Sequence, residues 1–246
     1  MRPDIVAFTT VRQGNPSSTI EAVRAEVALD TMKQLQVHAI PCVVVYKDCD
    51  SNYLKKLSSL GAELVPEITH GMGNARREAL QQARAKAQEG TYLLWLEPEK
   101  PDIPRYAEDM ARRMVDSGSL LGLFNRSDAS MDSYPSEQAH YYLFCRAVAS
   151  ALAGFDIDYA FGPMMLHRDA TDQFLSYKGQ YGDVWDSILV PRIPFIKQGL
   201  VTTFETDFKN DRRMTRIESG DTDIVLKRLQ QFNNVIPSLI AEWRRF

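Results

Sequence analysis

Apolar and polar positions alternate between two periods along the first hundred residues. Ile5 to Thr9 is a short apolar run of strand type, and "TIEAVRAEVALDTMKQL" then spaces Ile20, Val23, Val27, Leu29, Met32 and Leu35 as on a helix, behind Ser17-Ser18-Thr19 as a cap. The next unit repeats the pattern. Cys42 to Tyr46 is a nearly continuous β-branched run of the kind buried on both faces of a parallel sheet, and "SNYLKKLSSLG" predicts a short helix ending at Gly61. Glu63-Leu64-Val65 offers a third strand. Behind it, "NARREALQQARAKAQEG" sets Ala75, Ala79, Leu80, Ala83 and Ala87 on one helical side and stops at Gly90, and "TYLLWLEPEK" supplies a fourth strand. Repeated β-α alternation predicts an α/β fold with a mostly parallel central sheet flanked by helices, with ligands gathering at the carboxyl ends of the strands.

After residue 100 the pattern is less regular. "IPRYAEDMARRMVDSG" predicts a helix, "LLGLFNR" a strand and "SEQAHYYLFCRAVASALAG" a longer, aromatic-rich helix. Asp156, Asp158, Phe161, Gly162 and Pro163 fall in a turn before "MMLHRDA"; "LVTTFETDF" alternates like a strand, and "DIVLKRLQQFNNVIPSLIAEWRRF" is an amphipathic helix. With neither a low-complexity linker nor an internal repeat, a single domain over residues 1–246 is the simplest organisation.

Composition narrows the partners. The 246 residues are 44% hydrophobic, enough for a large core, and 29 basic against 32 acidic residues leave a net charge of −3. That balance offers no polycationic surface for nucleic acid. Three cysteines, Cys42, Cys49 and Cys145, form no CxxC pair, so neither a disulfide framework nor a zinc site is expected and a reducing cytoplasm is. A strand beginning after four residues leaves no room for a signal peptide, and no apolar run approaches the roughly 20 residues that span a bilayer.

The candidate chemistry starts at the end of the fourth strand. Glu97 and Glu99 flank Pro98 where a parallel strand leaves the sheet, so both carboxylates can converge on one point, as a divalent cation bound to phosphate oxygens requires. The competing reading makes them solvated loop glutamates with Lys100 as a surface partner. "HGMGNARREAL" brings Gly71 and Gly73, which permit close backbone approach, and Arg76 or Arg77 in a first helical turn, able to pair with a pyrophosphate or simply to face solvent.

Together these segments resemble the nucleotide-sugar-dependent glycosyltransferases of the GT-A fold, most closely the family 2 type. The resemblance spans roughly residues 4 to 200 and rests on four segments. "VAFTTVRQGNPSSTIEAV" is similar to that family's opening strand, nucleotide-contacting loop and helix, which implies that Thr9, Thr10 and Arg12 lie against the base and ribose. "VVVYKDCDS" resembles its second strand, making Asp48 and Asp50 acceptors for a nucleoside edge. "HGMGNARREAL" looks like its glycine-rich turn, with Gly73, Arg76 and Arg77 on the donor. "YLLWLEPEKPDI" falls where the family carries an acidic metal motif, usually Asp-x-Asp and here Glu97-Pro98-Glu99.

Downstream, "DYAFGPMMLHRDA" and "YGDVWDSI" resemble the acceptor side. The resemblance implies Asp183 or Asp186 as the catalytic base, unless they cap a helix, and His167 as a third metal ligand, unless it is an ordinary surface or core histidine. Trp185 and Tyr181 either stack on a sugar or belong to the core. Residues 1–125 then form a nucleotide-sugar-binding half and 126–246 an acceptor-side half with a C-terminal helix. The implied activity is hexosyl transfer from a UDP- or GDP-sugar to an acceptor hydroxyl, with Mn²⁺ or Mg²⁺ on the leaving diphosphate. Two alternatives stand beside it. A sugar nucleotidyltransferase needs a glycine-rich basic loop, whereas "TTVRQGNP" has one glycine and one arginine; a non-catalytic binding protein of the same fold is compatible with the Glu-x-Glu departure.

Overall fold

The computed structural model describes residues 3–14 and 18–245, so Ser17 of the expected cap lies outside the described residues. The strands are β1 (Ile5–Arg12), β2 (Cys42–Lys47), β3 (Ala62–Pro66), β4 (Tyr92–Trp95), β5 (Leu121–Arg126), β6 (Met164–His167) and β7 (Val201–Thr206). The longer helices are α1 (Thr19–Val37), α2 (Ser51–Ser59), α3 (Met72–Lys86), α4 (Ala107–Ser117), α6 (Ser136–Ala153) and α11 (Thr222–Arg245). Between them lie the short helices α5 (Asp128–Met131), α7 (Thr171–Leu175), α8 (Asp186–Leu189), α9 (Ile193–Lys197) and α10 (Arg212–Glu218).

All seven strands join one sheet in the order β3-β2-β1-β4-β6-β5-β7. The pairs β1–β2, β1–β4, β2–β3 and β5–β7 are parallel, and β6 runs antiparallel between β4 and β5. Alternate side chains of the central strands feed two cores. Ile5, Ala7, Cys42, Val44 and Leu94 pack with Met32 and Leu35 of α1 and Met110 and Met114 of α4. Val6, Phe8, Val43, Val45 and Leu93 pack with Ala79, Leu80 and Ala83 of α3 and Val235 and Leu239 of α11. Apolar layers on both faces explain why these strands read as continuous apolar runs.

The strand ends position the site. The β1–β2 ladder continues to Arg12 opposite Lys47, whereas the β1–β4 ladder stops at Phe8 opposite Trp95. The chain therefore peels away after Trp95 and leaves a recess beyond β4, at the point where the strand order reverses direction; a crevice for ligands forms at such switch points.

Candidate functional site

Two adjoining chambers fill that recess. The first, about 310 Å³, is walled by Thr10 and Arg12 from β1, Lys47 from β2, Gly71, Met72, Ala75 and Arg76 at the start of α3, and Trp95, Glu97 and Glu99 below. The second, about 220 Å³, shares Arg24, Met72, Arg76, Glu97 and Glu99 and extends to Lys100, Tyr134, Gly162, Trp185, Lys227 and Arg228. Glu97 and Glu99 thus stand at the junction.

Glu97 is held by close packing. Its Oε2 is buried and has no hydrogen-bond partner. Gly162 closes over the carboxylate so tightly that a Cβ there would collide with it. The Gly162 carbonyl is itself fixed by the fully buried Arg192, which donates to Gly162 O at 2.6 Å, Phe161 O at 2.9 Å and Tyr159 O at 3.2 Å. At Glu99, desolvation raises the carboxyl pKa, and Arg24 and Lys100 oppose it only in part. Lys100 forms no ion pair with either glutamate; its ammonium turns inward over the rings of Tyr134 and Phe208, 5.4 and 5.0 Å from their centres, and donates to the Tyr134 hydroxyl at 3.3 Å.

Arg76 lies over the Trp95 ring at 5.6 Å and donates through Nη1 to Val184 O at 2.6 Å and Ser187 Oγ at 3.0 Å. Burial pushes its pKa down to about 10, against the pull of Glu97, so it remains a cation at neutral pH. The amino end of α3, opened by Gly71 at φ +112°, faces the same chamber. The helix dipole adds a partial positive charge there.

No protein-family model matches the chain, and no curated protein matches it. Solved structures do. Glucosyl-3-phosphoglycerate synthase from Mycobacterium tuberculosis in complex with Mn²⁺, UDP and phosphoglyceric acid superposes with a TM-score of 0.64 at 12% identity, over 98% of this chain and 78% of that one. The same enzyme with Mn²⁺, UDP and glucosyl-3-phosphoglycerate gives 0.62 at 11% identity, over 98% and 80%. Mannosyl-3-phosphoglycerate synthase from Rubrobacter xylanophilus gives 0.52 at 15% identity, over 95% and 76%.

The fold is GT-A-like. On this GT-A-like frame the residues expected at the site separate into three groups. Thr10, Arg12, Arg76, Glu97 and Glu99 line the first chamber. Asp48 reaches it only through Arg12, to which it pairs at 2.9 Å, both side chains being more than half exposed. Asp50 instead caps α2, accepting the Tyr53 N–H at 2.8 Å. Thr9 points away into the core with a buried, unpartnered hydroxyl.

The structure sets the remaining expected residues elsewhere. Gly73 gives its space to Asp183: its N–H donates to Asp183 O at 2.9 Å, and a Cβ would strike the Asp183 carboxylate, so Gly71 and not Gly73 approaches the chamber. Arg77 binds that carboxylate bidentately at 2.6 and 2.7 Å, a clamp between α3 and the segment before α8 that takes both residues out of the cleft. Asp186 is fully buried, accepting from Tyr177 Oη at 2.7 Å and Val184 N at 2.8 Å. Neither aspartate lines either chamber as a base for an acceptor would. His167 pairs with Tyr92, the first residue of β4, because β6 runs antiparallel, which sets it at the opposite sheet edge from Glu97. Its Nδ1 accepts the Asp169 N–H at 3.3 Å, and among the described residues no group of three His, Cys, Asp or Glu side chains could hold a metal.

Tyr181 donates to Glu242 at 2.7 Å, whereas Trp185 lines the second chamber. Sequence reading passes over Arg24, Arg192 and the adjacent Lys227 and Arg228, which come from three separate places in the chain and share no motif. The Gly162 turn before β6 was the one available signal.

Proposed function

We propose that the protein transfers a hexosyl group from a UDP- or GDP-sugar to an acceptor hydroxyl, residues 1–125 supplying most of the donor chamber. The observation that carries this reading is the buried, unpartnered Glu97 oxygen at the junction of the chambers. A carboxylate oxygen in that condition costs stability unless a cation or donor completes it. A GT-A-like fold with its crevice at the strand switch point supports the same reading, and the M. tuberculosis enzyme of similar fold was solved with UDP and Mn²⁺.

The carboxylates suit a divalent ion, Mn²⁺ or Mg²⁺, of the kind that needs only one or two carboxylates from the protein. Glu97 and Glu99 would hold it, and when bound it supplies positive charge beside the diphosphate. Other groups of the chain act directly. Arg76, charged and fixed on Val184 and Ser187, faces the leaving diphosphate, and the amino end of α3 adds the positive end of its dipole. Arg12 and Thr10 flank the nucleoside. The acceptor hydroxyl enters from the second chamber and forms the new bond to the anomeric carbon as the bond to the diphosphate oxygen breaks, its proton passing to the departing diphosphate.

A thermal-shift panel of UDP, GDP, UTP and CTP, each with and without Mn²⁺, tests the assignment. Stabilisation by UDP or GDP that depends on Mn²⁺ is expected. Preference for a triphosphate would point to a nucleotidyltransferase, and no response to a fold that has lost the activity.

A further inference from the structure

The charges of the second chamber do not cancel. On its own side, beyond the residues shared with the first chamber, three cationic groups, Lys100, Lys227 and Arg228, face one carboxylate, Glu218. Glu218 is already engaged: it accepts from Gln138 Nε2 at 2.9 Å and lies 3.9 Å from Arg24. Arg228 is held by neutral amides, donating to Gln138 Oε1 at 2.7 Å and Gln231 Oε1 at 2.9 Å. Those bonds fix the direction of the guanidinium without giving it an ion pair. Lys100 rests on aromatic rings and a tyrosine hydroxyl. Lys227 is half-buried on α11 and makes no ion pair or hydrogen bond with the described residues; burial, Arg24 and Arg228 lower its pKa against the pull of Glu99 and Glu218.

We propose that Lys100, Lys227 and Arg228 form a seat for a phosphate group on the acceptor, so that the hydroxyl substrate is a small phosphate monoester. This rests on the transferase reading for the role of the occupant, though not for its binding. The excess of two positive charges matches a monoester, which carries about −1.5 to −2 near neutral pH, better than a single carboxylate. A volume of about 220 Å³ limits the acceptor to a small molecule. Glu97 and Glu99 lie on the shared wall, so a hydroxyl a few bonds from the seated phosphate would reach the donor chamber.

Inorganic phosphate is the probe, with acetate as the carboxylate arm, titrated into the full chain by calorimetry at constant ionic strength, both alone and with saturating UDP and Mn²⁺. Saturable phosphate binding in both conditions is expected, with at least tenfold weaker binding in Lys227→Gln and in Arg228→Gln and acetate at least tenfold weaker than phosphate. Lys227→Gln removes an unpartnered charge, so it should unfold at or above the temperature of the parent without phosphate, which separates lost binding from lost folding. Unchanged phosphate affinity in both variants, phosphate displaced by UDP, or acetate binding as tightly as phosphate would each overturn the proposal. If UDP fails to bind while phosphate binds through Lys227, the transferase reading falls and the phosphate seat stands.

Discussion

Glu97 owes its setting to a glycine far along the chain, in the turn before β6. Only hydrogen fits at Gly162 beside the carboxylate, and Arg192 holds that glycine's carbonyl in place with a guanidinium that burial lowers to about 10, still charged at neutral pH. Gly162→Ala must therefore move either the turn or the carboxylate, at a cost of about 1–3 kcal/mol. We expect it to fold with a lower melting temperature and to bind nucleotide at least tenfold more weakly; nucleotide binding equal to the parent's would mean that the position of Glu97 is immaterial. At this scale the sequence is half legible. The carboxylate pair at a strand exit is readable because strand and acids are contiguous. The groups around it are not, since Arg24 and Lys227 reach the recess, and Arg192 the Gly162 turn, only through tertiary folding.

Among the elements, α3 carries two arginines with opposite tasks. Arg76 faces the chambers, while Arg77 clamps Asp183, a partly buried ion pair that fastens α3 to the segment leading into α8. Charge-assisted hydrogen bonds of this kind contribute about 1.5–3 kcal/mol. Asp183→Asn should accordingly lower the melting temperature while leaving the pH dependence of turnover unshifted; a loss of turnover above a hundredfold at unchanged melting temperature would restore Asp183 as the base. Neither aspartate caps α8, whose N-cap is Trp185 without a side-chain hydrogen bond; Asp186 accepts the N–H of Val184, two residues before it. The first four β-α units are legible because each strand is an apolar run and each helix is long enough to show its period. Helices α7, α8 and α9, at four or five residues each, are too short to show one. The direction of β6 has no local signature either, and that single reversal sends His167 to the far edge.

At the scale of the whole molecule, a buried ion pair ties the end of β5 to the segment before β6. Arg126, at the end of β5, binds Asp158 through Nε at 2.7 Å and Nη2 at 2.9 Å, both side chains fully buried, with the rings of Tyr134, Tyr142 and Phe161 at 5.1, 3.8 and 4.6 Å. Tyr134, Tyr142 and Phe161 also line the second chamber, so this pair braces its wall. Asp158→Asn leaves a buried guanidinium without its counter-charge, and a loss of about 3–5 kcal/mol in denaturant unfolding is expected; a loss below about 1 kcal/mol would show that the aromatic rings suffice. Across the molecule, the account turns on whether the recess beyond β4 binds a nucleoside diphosphate through a cation held by Glu97 and Glu99. The most direct measurement is a calorimetric titration of UDP and of GDP into the parent protein and into Glu97→Gln, with Mn²⁺ and again with EDTA. The account predicts binding by the parent with Mn²⁺ that weakens at least tenfold, about 1.4 kcal/mol, in EDTA, and a Glu97→Gln variant that is equally weak in both. Equal affinity of parent and variant, or parent binding indifferent to EDTA, would contradict it.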